Sequence, residues 1–219
     1  MRGKGVNSLY GKIMLALGFA LLWSGCGIST TAYLYPPANL IVSGSQISVQ
    51  NNGANYEPSE GLKQTFKGID IYYRIFQNNL AAGNLKSDLI TRASSTYYDS
   101  PDAFISYAEG CGLCIMRKAT GPARPTVDME ASDESLHTIV TSTWILDGGT
   151  RVVRDGFTSP KNDFSEKTFA STDQDYEGEA SSGEGIFYLV LFAVSYGEDS
   201  IGAPVYSYPV IASSIVEFF

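Results

Sequence analysis

The hydrophobic and polar positions alternate most clearly in residues 69–76, IDIYYRIF. Ile69, Ile71, Tyr73 and Ile75 fall on one face and Asp70, Tyr72, Arg74 and Phe76 on the other, the period-two pattern of a half-buried strand with its odd face in the core. Residues 187–196, FYLVLFAVSY, are apolar on both faces, which predicts a central strand covered on each side. Shorter strands are predicted around these two. Leu40 and Val42, then Ile47 and Val49, alternate with polar residues on either side of Ser43-Gly44-Ser45. Residues 51–61 read as a turn-rich surface loop. Strand character returns at 113–116, at 126–129 and over 137–146, after which Gly148-Gly149 turns the chain into residues 151–154 as the second arm of a hairpin. Residues 204–211 are expected to partner the central strand, and 215–219 to close the chain packed down.

Between residues 84 and 108 the period becomes helical. Leu85, Leu89 and Arg92 follow a candidate cap at Asn84, and Ser100-Pro101-Asp102 opens a second short helix that Gly110 ends. The pattern as a whole predicts a mainly β chain, an antiparallel β-sandwich with inserted short helices. The 14 tyrosines, the 17% of charged residues and the abundance of Gly, Ser and Thr suit a β-rich exported domain.

The first 26 residues have a different character. Arg2, Lys4 and Lys12 form a positive leader, residues 13–23 an apolar run, and Ser24-Gly25 a small pair before Cys26, the layout of a bacterial secretory signal peptide. The apolar run is shorter than the roughly 20 residues a permanent span requires. Small residues directly before a cysteine resemble a lipobox, although its usual leucine three places upstream is here Trp23, with Leu22 one place further out. In bacterial lipoproteins such a cysteine is diacylated at sulfur, becomes the new N-terminus and is acylated again. The same layout also fits an ordinary signal peptide cut near Gly25 or Ser29, or an uncleaved anchor. The lipoprotein reading divides the chain into a signal peptide (1–25), a lipidated N-terminus and short tether (26–35) and a single β-sandwich domain (36–219). Gly27 rather than Asp after the cysteine favours the outer membrane under the enterobacterial sorting rule.

Cleavage before Cys26 would leave 194 of the 219 residues, enough for one domain with a sizeable core. Three of the 15 basic residues lie in the leader, so 12 would remain against 23 acidic ones. That balance argues against nucleic acid as a partner and against a basic patch lying on anionic lipid. The membrane would be reached through lipid on Cys26, and any further partner would be a protein or envelope component.

The order of segments is similar to a known family. PPANLIVSG, GIDIYYRIF and FYLVLFAVSYGEDSIGAPVYSYPVI resemble strands A, C, F and G of a fibronectin type III or immunoglobulin-like sandwich. More narrowly, residues 68–76 and 193–209 resemble two blocks of uncharacterised treponemal, spirochaetal lipoproteins, with Ile69 where the pattern has tyrosine. These motifs are structural and imply no chemistry.

Three features carry candidate chemistry. With Cys26 assigned to lipid, Cys111 and Cys114 remain as a structural disulfide or a buried thiol pair. The helix expected before them presents its negative end, the wrong end for lowering a thiol pKa. Residues 173–184 place Asp173, Asp175, Glu177, Gly178, Glu179, Ser181 and Glu184 at EF-hand loop spacing, so Asp173, Asp175, Glu177 and Glu184 are candidate calcium ligands, without the flanking helices of that motif. Tyr72, Tyr73, Tyr97, Tyr98, Tyr206 and Tyr208 are candidates for a ligand surface or for strand packing. His137, the one histidine, has no catalytic partner nearby in sequence. No catalytic constellation or cofactor motif is visible. The expectation is a lipid-anchored envelope protein with a binding, adhesion or structural role and no catalysis. The alternatives are a calcium-dependent binder and a thiol redox protein.

Overall fold

Two long strands at the centre of one sheet organise the molecule. In the computed structural model, which describes residues 34–56, 65–94, 100–155, 163–181, 183–199 and 201–218, β3 (Phe66–Phe76) and β11 (Phe187–Glu198) run antiparallel over ten paired positions, from Tyr188↔Phe76 to Gly197↔Phe66. All of them belong to one compact unit, Ala32–Phe219. Cys26, the expected signal peptide and most of the expected tether lie outside the described residues, as do Tyr97 and Tyr98.

Each outer flank of this pair is a broken rail of short strands. Beside β3 lie β6 (Val127–Asp128), β4 (Cys114–Ile115) and, in parallel, β10 (Tyr176–Glu177). Beside β11 lie β12 (Pro204–Tyr206), β13 (Val210–Ile211) and β14 (Val216–Phe218), all antiparallel. Gly68 shows why the rail can approach β3 so closely. A Cβ there would sit 2.1 Å from the Val127 carbonyl oxygen, and its φ of +148° disfavours any other residue.

The second sheet has the order β1-β2-β7-β8-β9-β5, built from β1 (Asn39–Ser43), β2 (Gln46–Gln50), β5 (Arg117–Lys118), β7 (Leu136–Val140), β8 (Ile145–Leu146) and β9 (Thr150–Val153). Its first hairpin turns at Gly44-Ser45, with Gly44 at φ +54° as a two-residue turn requires. Its inner face meets the odd face of the long pair. Leu40, Ile47, Val49, Ile139 and Leu146 pack with Ile69, Ile71, Tyr73, Leu189 and Leu191 in one core. The chain passes from β4 in one sheet to β5 in the other across Met116, whose N–H bonds the Ile71 carbonyl at 2.8 Å. The molecule is therefore mainly β, with antiparallel sheets face to face as in a β-sandwich and, among the described residues, two α-helices.

The helices form a third layer. α1 (Asn79–Ser94) and α2 (Pro101–Gly110) lay Ala82, Leu89, Phe104, Ile105 and Ala108 over the even face, on Tyr72, Phe76, Val190, Phe192 and Val194. β3 is thus buried on both faces rather than half-buried, because helices occupy the side expected to face water. Ser100 caps α2 as expected, accepting from Ala103 N at 3.3 Å. α1 starts earlier than expected, capped by Asn78, whose Oδ1 accepts from Leu80 N at 2.8 Å, rather than by Asn84. None of the described helices is long and apolar enough to cross a membrane.

Residues 137–146 are two strands, not one. The chain folds back over 141–144, where Trp144 N–H bonds the Val140 carbonyl at 2.7 Å and Trp144 takes φ +54°. The segment expected to be a surface loop begins with buried polar residues. Asn51 donates to the Ala131 carbonyl at 2.8 Å, and buried Asn55 donates to Asn51 Oδ1 at 2.9 Å.

Candidate functional site

The carboxylates at calcium-loop spacing converge on arginines. Arg154, at the end of β9, points its guanidinium between the sheets with its side chain fully buried. Its Nε donates to Asp175 Oδ2 at 2.7 Å, and Nη2 donates to Asp173 Oδ2 at 2.8 Å and to Asp175 Oδ1. Tyr73 completes the set, its hydroxyl donating to Asp175 Oδ2 at 2.5 Å. Burial first, then Asp175, pushes the Tyr73 hydroxyl far above its usual value, so it stays a proton donor. Glu177 pairs with Arg74 at 3.0 Å, and Glu184 is exposed. Among the described residues no group of three or more acidic, cysteine or histidine side chains is arranged to hold a metal ion. The physical reason is charge neutralisation: two carboxylates that a calcium ion would need are held by one buried guanidinium.

Cys111 and Cys114 are free thiols. Cys111 caps the C-terminus of α2, its N–H bonding the Tyr107 and Ala108 carbonyls at 3.0 Å each, which confirms the unfavourable end of the helix dipole. Cys114 enters β4 opposite Tyr73. Burial, reinforced by the nearby Asp175 charge, pushes its thiol up to about 12, the reverse of a redox-active cysteine.

His137 has partners that sequence distance concealed. Its Nδ1 lies 2.6 Å from Asp147 Oδ2 across the hairpin and its Nε2 lies 3.0 Å from Asp133 Oδ2. Burial works against its charge, but the two carboxylates outweigh burial and raise its pKa. Both ring nitrogens are engaged, which makes this a charge clamp and leaves neither nitrogen for a substrate. Of the candidate tyrosines, Tyr72 and Tyr73 are fully buried; Tyr72 stacks on Phe192 at 4.6 Å. Tyr206 holds Arg124, and Tyr208 is exposed.

One cavity is assembled from segments that no sequence motif marks. It measures about 680 Å³ and is lined by Val42 of β1 in one sheet and by Glu217 and Phe218 of β14 in the other. Four separate stretches contribute: Gly44 and Ser45 from the first turn, Ser142 and Trp144 from the second, Lys167, and Glu217 with Phe218 from β14. Trp144 forms the floor, stacked on Phe164 at 4.1 Å and edge-on to Phe218 at 5.6 Å. Among the described residues, two of the three non-glycine residues with positive φ line it, Trp144 at +54° and Lys167 at +50°. For a bulky residue that conformation costs on the order of 1–3 kcal/mol, held here by the aromatic stacking beneath. An apolar floor, a hydroxyl rim, one cation and one anion can grip a small polar molecule or an extended chain.

The chain matches no family model, no curated protein and no solved structure, so the assignment of this site rests on its own geometry.

Proposed function

We propose that this protein is an exported, lipid-anchored component of the bacterial cell envelope whose folded domain binds a partner or ligand and catalyses nothing. The observation that carries the reading is the stretch ending at Cys26: positive leader, apolar run, small pair, cysteine. Leu34, eight positions after Cys26, is buried in the core between the sheets, which suits an anchor close to the folded domain. Acyl chains add about 0.8 kcal/mol per buried methylene, so a multiply acylated Cys26 holds the domain at a membrane. The outer membrane is the favoured site, from Gly27.

The strand order supports a fibronectin type III or immunoglobulin-like reading of the sandwich. β1, β2 and β7 adjoin in one sheet as strands A, B and E would; β3, β11 and the β12–β14 rail adjoin in the other as C, F and G would. The helical layer over C and F is then an insertion into the sandwich. The resemblance to treponemal lipoproteins points the same way. The binding role is assigned to the cavity above Trp144, and fold alone implies no particular ligand. Growth with labelled palmitate tests the anchor. The wild-type protein is expected to incorporate label and Cys26→Ala to lose it; continued labelling of Cys26→Ala would remove the reading.

A further inference from the structure

We propose that the end of the sandwich where the chain enters is itself a lipid-contacting surface, so that the anchored domain stands on the bilayer with its cavity turned away. This rests on Cys26 bearing lipid. The entering chain is locked to that end. Tyr35 N donates to Asn55 Oδ1 at 2.9 Å, Asn55 Nδ2 returns a bond to the Tyr35 carbonyl at 3.2 Å, and Ser195 Oγ donates to the same carbonyl at 2.6 Å. Ser195 N in turn donates to Ser207 Oγ at 2.8 Å. The stretch from Cys26 to Leu34 spans at most about 28 Å when fully extended, so this end stays near whatever holds Cys26.

The exposed apolar side chains are concentrated there. Among the nine large ones the described residues expose, five belong to this end: Tyr35 (44%), Tyr56 (50%), Leu136 (50%), Ile201 (87%) and Tyr208 (43%). Tyr56 follows Asn55, Tyr208 follows Ser207, Leu136 pairs with Gln50 at the foot of β2, and Ile201 tips the β11–β12 turn. Tyrosine rings settle at the headgroup level of a bilayer, and an aliphatic side chain on a turn tip reaches the acyl boundary. Charge decides which lipid. Glu130 and Glu134 are exposed at the same end, while Glu198 pairs with Lys67 at 3.8 Å and Asp199 Oδ1 accepts from Ile201 N and Ala203 N at 2.9 and 2.8 Å. These exposed acidic groups commit this surface to zwitterionic lipid over anionic lipid. The cavity lies at the other end of β11. Phe187, opposite Phe218, and Ser195 are eight residues apart along the strand, about 26 Å.

The experiment uses the acylated full-length protein, purified from membranes and reconstituted in phosphatidylcholine vesicles with or without bromine on the acyl chains. Trp144 is the only tryptophan after Trp23 leaves with the leader, and it reports on the end away from the lipid. The added emission of Ile201→Trp is expected to fall by about half or more with brominated lipid, while Trp144 emission in the parent protein does not change. Phosphatidylglycerol in the vesicles is expected to weaken the quenching. Equal Ile201→Trp emission in both vesicles, from protein that floats with them, overturns the proposal and leaves the anchor standing. Protein that does not float overturns the anchor reading and the proposal together.

Discussion

Arg154 and Arg124 each carry a guanidinium to a fully buried aspartate, on opposite faces of β3, and they differ in how much water reaches them. Arg154 lies between the sheets with Asp175, both side chains at 0% exposure, and its guanidinium covers the Phe169 ring at 4.8 Å. Arg124 lies on the other face, a quarter exposed, between the rings of Tyr196 at 4.7 Å and Tyr206 at 5.1 Å. Its Nε donates to Asp70 Oδ2 at 2.8 Å, its Nη1 to the Tyr206 hydroxyl at 2.9 Å, and Asp70 Oδ1 accepts from Thr126 N at 3.1 Å. Burial opposes the charge on each arginine, and in both cases the facing carboxylates win and raise its pKa. Burial also pushes the Asp70 carboxyl up against the pull of Arg124. Both aspartates use both oxygens, so the difference lies in the arginine: one is sealed between the sheets, and the other sits under a tyrosine roof with partial hydration.

Removing each arginine separates the two. Arg154→Ala leaves the Asp175 carboxyl in a dry core without its guanidinium and is expected to cost about 4 kcal/mol in urea unfolding. Cys114 reads the same side without changing the fold. Its raised pKa predicts alkylation at pH 8 more than about 100-fold slower in the folded protein than in urea. A fast native reaction would mean that water reaches the Arg154 side after all. Arg124→Ala is expected to cost about 2 kcal/mol, since water can rehydrate its site. Equal losses from the two alanines would show that exposure is not what distinguishes the clusters.

The His137 clamp is a third charge cluster and the most exposed, so its effect should be the smallest. Its folded pKa is raised above the unfolded value of about 6.5, so its contribution is fully present below that pH and is lost as pH rises through the folded pKa. His137→Gln is expected to lower stability by about 1 kcal/mol or less at pH 5.5 and by a diminishing amount above pH 7. A deficit that grows with pH would assign the wrong charge state to the clamp.

Much of the sheet was legible in the sequence and little of the site. Alternation placed the odd face of β3 in the core correctly because that face carries isoleucines at 69, 71 and 75 and the ring of Tyr73. The even face carries Asp70 and Arg74, which read as solvent-facing, and only the helical layer and Arg124 explain why Asp70 is buried and Arg74 half-buried. Residues 137–146 kept the same alternation through a four-residue turn, so the pattern could not show the fold-back at Trp144. The acidic spacing of 173–184 was real, but its partner stands 19 and 21 residues upstream at Arg154, beyond any local motif. The cavity is assembled from four turn and strand tips, none of which carries a recognisable pattern alone.

The most direct test of the central claim is the mass of the mature N-terminal peptide from purified membranes. A peptide beginning at Cys26 and carrying acyl adducts is the predicted result. An unmodified peptide beginning at Met1, or at any residue after Cys26, would contradict it.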